Sequence, residues 1–344
     1  MHDHPEIDSG LDISEYDLPP TEGALIGRRR LAVDSPLLHK PQLRHFLLLN
    51  VLPTIGTLCA IAYAFWVPVR TLDIVLFAGM WLVTGLGISA GYHRLLCHQS
   101  YRAKPALRFF LTVAGSMAGQ GSAISWVAMH RRHHHIADKS GDVHSPNLHG
   151  RTLSGRLRGF IHSHFTWMIR HEYPNVIHYV PDLLRERSLV RTSRLYFYWI
   201  VLGLVIPAGF GWVFGGSLAS AFSGFLWGGV VRMFVVGQSI SALNSVLHLV
   251  GTRRFRGMGR EDNSRNNWLI GALVWGEGWH NNHHAFPYSA SFALAWYKLD
   301  LSYWFIKACE GVGLASDVKT PSKERIEFRR AKRPEAWDTD KVGG

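Results

Sequence analysis

Long charge-free runs alternate with polar, basic stretches along this chain, and the alternation sets the first expectations. One apolar run goes from Phe46 to Val67 and the next from Ile74 to Tyr92, with only Arg70 and Asp73 charged between them. A third run, Leu195 to Val231, is too long for one crossing, and Gly215, Gly216 and Ser217 divide it into a helical hairpin. A bilayer core needs about 20 apolar residues of helix. The pattern therefore predicts an all-α integral membrane protein. Four transmembrane helices, about 46–67, 74–92, 195–214 and 218–240, form two hairpins. Residues 1–44 read as an acidic, then basic, N-terminal tail. Within it, 1–27 lack the apolar core of a signal peptide and read as disordered. Residues 45–318 read as the membrane domain and 319–344 as a polar C-terminal tail.

The apolar stretch 109–129 is long enough for a fifth crossing, but it carries Gly115, Gly119, Gln120 and Gly121. Charge decides the count. The loop from Gly91 to Arg194 holds 15 Lys/Arg against 5 acids, and the segment after His248 holds 15 against 11. Arg28, Arg29, Arg30, Lys40 and Arg44 precede the first span. The excess of cations on cytoplasmic segments then places both termini and the central loop in the cytoplasm. Four spans satisfy that and five do not, so 109–129 reads as interfacial or re-entrant, shielded by protein. At 1.5 Å per residue, Ile74 to His93 covers about 28 Å, which brings His93 to the cytoplasmic face. Arg232 is expected to snorkel to the same face. The net charge of +12 suits anionic headgroups or an acidic carrier; no nucleic-acid-reading motif accompanies it. Arg102, Lys104, Arg151, Arg156 and Arg158 are candidates for such contacts.

Twenty histidines are the compositional anomaly. Three clusters stand out: His93-Arg-Leu-Leu-Cys-His98, His130-Arg-Arg-His133-His134 and His280-Asn-Asn-His283-His284. Neutral imidazole is a common ligand for iron, zinc and copper. Residues i, i+3 and i+4 share a helix face, so each HxxHH aims three imidazoles at one region. His93 and His98, five apart, differ by about 140° on an ideal α-helix, which calls for a helix end or two metals. His248 follows Asn244 by four, so both face the same way. Nine candidate imidazoles exceed the needs of one ion and point to two. The remaining histidines, His135 and His144 among them, read as hydrogen-bonded or interfacial. Cys97 lies inside the first cluster but is not needed as a ligand. Glu277, Asp142 and Asn281 are the expected groups orienting the imidazoles.

From about Phe46 to Val318 the chain resembles the membrane acyl-CoA desaturases of the stearoyl, delta-9 type. The resemblance rests on Gly91-Tyr-His-Arg-Leu, Trp126 through His134, Asp142-Val-His-Ser and Gly159-Phe-Ile-His-Ser-His. Two further strings carry it: Asn244-Ser-Val-Leu-His248 and Gly276-Glu-Gly-Trp-His280-Asn-Asn-His283-His284-Ala-Phe-Pro287. It implies a cytoplasmic helical cap carrying a di-iron site, with His93, His98, His130, His133, His134, His248, His280, His283 and His284 as ligands. Asn244 would act through a water, while Gln120 and Trp126 would line a kinked acyl tunnel. Ser241, Gln238 and Ser239 depart from the family pattern along that wall. Dioxygen would be the co-substrate. Without a His-Pro-Gly-Gly haem motif, electrons are expected from a separate donor, a cytochrome b5-like protein or a ferredoxin with its reductase.

A saturated methylene offers no acidic proton and no electrophile, so redox metals must supply the chemistry and the protein must position the chain. The expected activity is O2-dependent introduction of a cis double bond, at delta-9 of an acyl-CoA. The nearest rival is a di-iron alkyl hydroxylase or monooxygenase, which would leave labelled oxygen in the product. A metal transporter or sensor is a more distant rival, because it needs ionisable ligands along a path through the bilayer.

Overall fold

The computed structural model describes residues 25–26, 29–255 and 261–331. The expected tail at 1–24 and the last residues, 332–344, lie outside them.

Four helices are long and apolar enough to cross a membrane: Pro36–Tyr63, Thr71–Cys97, Tyr196–Gly215 and Leu218–His248. The count and the two hairpins match the sequence pattern, but three of the helices overrun their expected bounds. The first begins at Pro36, not Phe46. Hydropathy marks where lipid touches a helix, and the less apolar stretch from Pro36 to Arg44 continues the same helix despite Pro41 within it. Proline in the first turn suits the start, since that N–H has no helical partner to lose. The second and fourth helices continue to Cys97 and His248, past the expected ends at 92 and 240. A helix of 27 residues is about 40 Å long, some 10 Å more than the hydrocarbon core. That overrun carries His93 and His248 out of the lipid and into a polar cap. Between the third and fourth spans the chain turns at Gly216, in the left-handed conformation (φ 65°), and Ser217 caps the next helix by accepting from Ser220 N–H.

Residues 109–129 are not one element. They divide into helix Pro105–Met117, a turn, and helix Ala123–Ile136. Gly119 (φ 76°) and Gly121 (φ 106°) make the turn in conformations that L side chains avoid. The first of these helices lies so close to the second span that a Cβ on Gly87 would sit 2.1 Å from the Gly115 nitrogen. Phe109 meets Trp199 of the third span edge-on at 6.2 Å. The segment is shielded on that side, as expected, while Phe109 and Phe110 remain exposed.

Arg232 departs from its expected outward course. It is fully buried and turns inward, donating to the carbonyls of Met117 (2.8 Å), Gly203 (3.0 Å) and Gly228 (3.3 Å). The reason lies in Pro207, inside the third span. Proline has no N–H, so Gly203, four residues earlier, loses its helical donor. Met117 ends its own helix, which leaves its carbonyl equally orphaned. One guanidinium satisfies both where water cannot.

The cap is built on helices Ala123–Ile136, Leu153–His164, Arg187–Arg194, His280–Ala285 and Leu301–Gly311. Two-residue antiparallel ladders pin distant segments, pairing Ala32–Val33 with Tyr173–Pro174 and Arg102–Ala103 with Ala315–Ser316. Its apolar core includes Leu96, Val127, Val180, Leu247, Trp275 and Ile306. Within the polar C-terminal segment, the charged run from Lys323, which the sequence reads as a solvated helix, forms helix Lys323–Ala331, whose Arg329 lies over the Phe286 ring at 5.5 Å.

Candidate metal centre

The first histidine pair is brought into line by an unexpected helix type. Gly87–Cys97 is wound as a π-helix, and His98 N–H reaches the His93 carbonyl at 3.1 Å. Bonding five residues back stacks positions i and i+5, which an α-helix would rotate apart. The two rings lie 5.0 Å apart between centroids. His98 is the residue that ends this helix, so a helix end, the first of the two expected ways, reconciles their spacing without a second metal.

All nine histidines converge, and they divide into two sets. His93, His98, His130, His134 and His283 hold nitrogens within 4.8 Å of one another, and His133, His248, His280 and His284 do the same. Each HxxHH cluster therefore serves both sets: His133 parts from His130 and His134, and His283 parts from His280 and His284. Neighbouring Nε2 atoms within a set stand 2.9 to 3.1 Å apart. Cys97 joins neither set.

Four carboxylates fix the ring orientations from behind. Nδ1 of His93 lies 2.6 Å from Glu277, that of His133 3.0 Å from Asp142, that of His248 2.9 Å from Asp138, and that of His284 2.9 Å from Asp262. Each bond places the ring proton on Nδ1 and leaves a lone pair on Nε2. In the second set, the lone pairs of His248 and His284 both face His280 Nε2. A proton on that atom could satisfy one of them and not both. His98 Nε2 is likewise buried without a hydrogen-bond partner. Converging acceptor lone pairs in a buried space repel one another unless a cation sits between them, so the donor sets fit metal ions.

Their charge state agrees. Burial first, then the neighbouring imidazoles, hold His98, His130, His134, His280 and His283 far below the usual histidine range. They are neutral imidazoles at physiological pH, the form that could ligate a metal. Burial pulls the Asp138, Asp142 and Asp262 carboxyls upward, but the imidazoles bonded to them pull harder the other way. Asp142 ends at about 2 and the other two below the ordinary carboxylate range.

Glu277 and Asp142 thus act as expected behind the imidazoles, and Asn281 does not. Its side chain bonds the backbone of Arg254 and Phe255 and so anchors a loop. Asp138 and Asp262 were missed in the sequence. Asp138 sits in a left-handed backbone conformation (φ 59°) two residues past helix Ala123–Ile136, which turns its carboxylate back toward His248. His144, given no role from sequence, is buried with its Nδ1 3.4 Å from Asp142, and burial pushes it down to about 3 against that carboxylate's pull. Two of the three polar departures on the fourth span find partners: Gln238 Oε1 lies 3.0 Å from His164 Nε2, and the Ser239 hydroxyl donates to the Val235 carbonyl at 2.8 Å.

A cavity of about 370 Å³ opens beneath the imidazoles. His93, His130, His133 and His280 form part of its wall, together with Gln120, Trp126 and Asn244. Trp126 stacks on His130 at 4.9 Å. Gln42, His45, His171 and Arg194 add polar groups to its wall, and Ile88, Ile240 and Leu243 add apolar ones.

Residues 64–315 match the fatty acid desaturase family. A hex-5-enoyl-[acyl-carrier protein] acetylenase of Moorena producens is 41% identical over 322 residues, 93% of this chain and 98% of its own length. An sn-1 stearoyl-lipid 9-desaturase of Anabaena variabilis is 35% identical, covering 71% of this chain and 83% of its own length. An acyl-CoA 5-desaturase of Anemone leveillei is 35% identical, over 77% of this chain and 76% of its own length. A histidine-walled cavity in an all-α frame with four apolar spans, and likeness of this extent, make the chain a member of the fatty acid desaturase family and an oxidoreductase of lipid metabolism.

Proposed function

We propose that the nine histidines bind two iron ions, five imidazoles to one and four to the other, and that the enzyme introduces a cis double bond into a saturated acyl chain. The carrying observation is the division into two sets of converging Nε2 lone pairs. Neighbouring nitrogens 3.0 Å apart could share one ion, and neutral imidazole is a ligand that iron would accept. Asn244, which lines the same cavity as His280, would act on the metal pair through a water. When bound, the iron pair activates dioxygen to take two hydrogens from adjacent carbons.

The protein's own residues do the remainder. Glu277, Asp138, Asp142 and Asp262 keep the imidazoles in the ligating tautomer. Trp126 and Gln120 bend the chain beneath the irons, so that one pair of carbons is presented. The polar mouth at Gln42, His45, His171 and Arg194 receives the activated head of the chain. With both termini and the cap in the cytoplasm, a cytochrome b5-like protein or a ferredoxin with its reductase delivers electrons there.

The first substrate to test is an acyl-CoA, with the bond at delta-9. Identity along 93% of the chain with a relative named for an acyl-carrier-protein substrate favours a second reading, in which the acyl group arrives on a carrier protein. Iron-loaded enzyme in nanodiscs, given reductant and matched acyl-CoA and acyl-carrier-protein substrates under labelled dioxygen, tests both. A product lighter by two hydrogens and free of label is expected. Label in an alcohol product would make the enzyme a hydroxylase, and no product from any acyl donor would overturn the reading.

A further inference from the structure

The converging imidazoles are not all held in the same way. The rings of His93, His133, His248 and His284 are each oriented by a carboxylate at Nδ1. His283 is not: its Nδ1 is buried without a hydrogen-bond partner. The torsion that spins an imidazole about its own axis is soft, so packing must fix this ring. Phe292, fully buried, supplies the packing. Its ring lies 4.3 Å from that of His283 and 5.1 Å from that of His93. Of the nine imidazoles, these two have rings in contact with Phe292.

Phe292 is itself fastened at three points. Its N–H donates to Asp300 Oδ2 at 2.9 Å, its carbonyl accepts from the Asn282 side chain at 2.9 Å, and the Arg94 guanidinium lies over its ring at 3.9 Å. Asn282 immediately precedes His283, so the support and the ring it holds share a short link. Arg94 follows His93 on the π-helix and is fully buried. It pairs with Asp300 at 3.0 Å and stands 3.8 Å from Glu277, the carboxylate that orients His93. A buried cation is tolerated only with partners in place, and here two carboxylates and an aromatic face surround it. One cluster therefore joins the supports of two imidazoles whose Nε2 atoms are 3.0 Å apart. Both belong to the five-imidazole set.

We infer that Phe292 and Arg94 are positioning residues of the five-imidazole position alone: Phe292 holds the His283 ring by its face, and Arg94 locks Phe292 to the Glu277–His93 pair. This deepens the two-metal reading above and rests on it. Its consequence is that the two positions can be emptied separately.

Counting bound metal, without turnover, tests this. Metal-free protein in nanodiscs is dialysed anaerobically against buffered ferrous iron, and ions per chain are measured. Wild type should bind two. Phe292→Leu should keep one ion at wild-type affinity and hold the other about 10- to 100-fold more weakly. Arg94→Lys keeps the charge but loses the planar stack and should weaken the same ion. It and Phe292→Met carry the test if Phe292→Leu does not fold. Adding His283→Ala to any of these should cost little more, whereas adding His248→Ala should remove the remaining ion. The positioning role is overturned if every folded variant binds two ions as wild type does, if both ions weaken together, or if the retained ion depends on His283. A wild type that binds fewer than two ions would instead sink the two-metal reading on which the inference stands.

Discussion

At the scale of single residues, the carboxylates behind the rings would decide how firmly the proposed metals are held. Asp262→Asn would leave His284 free to change tautomer, and metal affinity should fall about 10- to 100-fold in a chelator competition. Asp182→Asn, which alters a carboxylate bonded to Gln99 and Arg131 and to none of the nine imidazoles, should leave it unchanged. Cys97→Ser should retain the full metal content, because Cys97 belongs to neither set; loss of metal there would contradict the ligand assignment. The convergence of the imidazoles was legible in the sequence because positions i, i+3 and i+4 advertise a shared face. Two of their supports were not. Asp138 and Asp262 are 110 and 22 positions from the histidines they hold, and isolated acids in basic loops look like ordinary surface. The only local hint was that Asp138 follows the second cluster closely.

At the scale of helices, periodicity carried the reading until the helix type changed. Four spans and their hairpin turns follow from apolar runs and from Gly216 and Ser217. The pairing of His93 with His98 depends on the π-helical winding of Gly87–Cys97, which 3.6-residue reasoning cannot foresee. The inward turn of Arg232 was hidden for a similar reason. Its carbonyl partners become available only because Pro207 and the end of helix Pro105–Met117 lie beside it. Arg232→Met should destabilise the protein by about 3 kcal/mol, since it strands buried carbonyls. Pro207→Ala gives Gly203 its helical N–H back. In the double variant the penalty of losing Arg232 should shrink by about 1 kcal/mol. Denaturation of the four proteins in detergent gives that coupling energy; strict additivity would show that Arg232 does not serve the proline gap.

For the whole molecule, the buried imidazoles tie stability to pH. In an unfolded chain a histidine takes up a proton near 6.5, whereas His98, His130, His134, His280 and His283 stay neutral in the folded protein to far lower pH. Below 6.5 the unfolded state therefore binds more protons, and stability falls as the pH falls. Each group contributes up to about 1.4 kcal/mol per pH unit in that window. Metal-free protein should lose thermal stability steeply between pH 7 and pH 5, and iron-loaded protein, whose ligands are blocked, should lose it less steeply. Equal and flat profiles would mean that the imidazoles are not buried as neutral ligands.

All of these expectations depend on two metal positions within one cap. Anomalous X-ray scattering at the iron edge, recorded on crystals of the purified protein, locates iron directly. Two peaks should appear, one about 2.1 Å from nitrogens of His93, His98, His130, His134 and His283, the other at the same distance from His133, His248, His280 and His284. A single peak, or iron ligated by residues outside these two sets, would contradict the account.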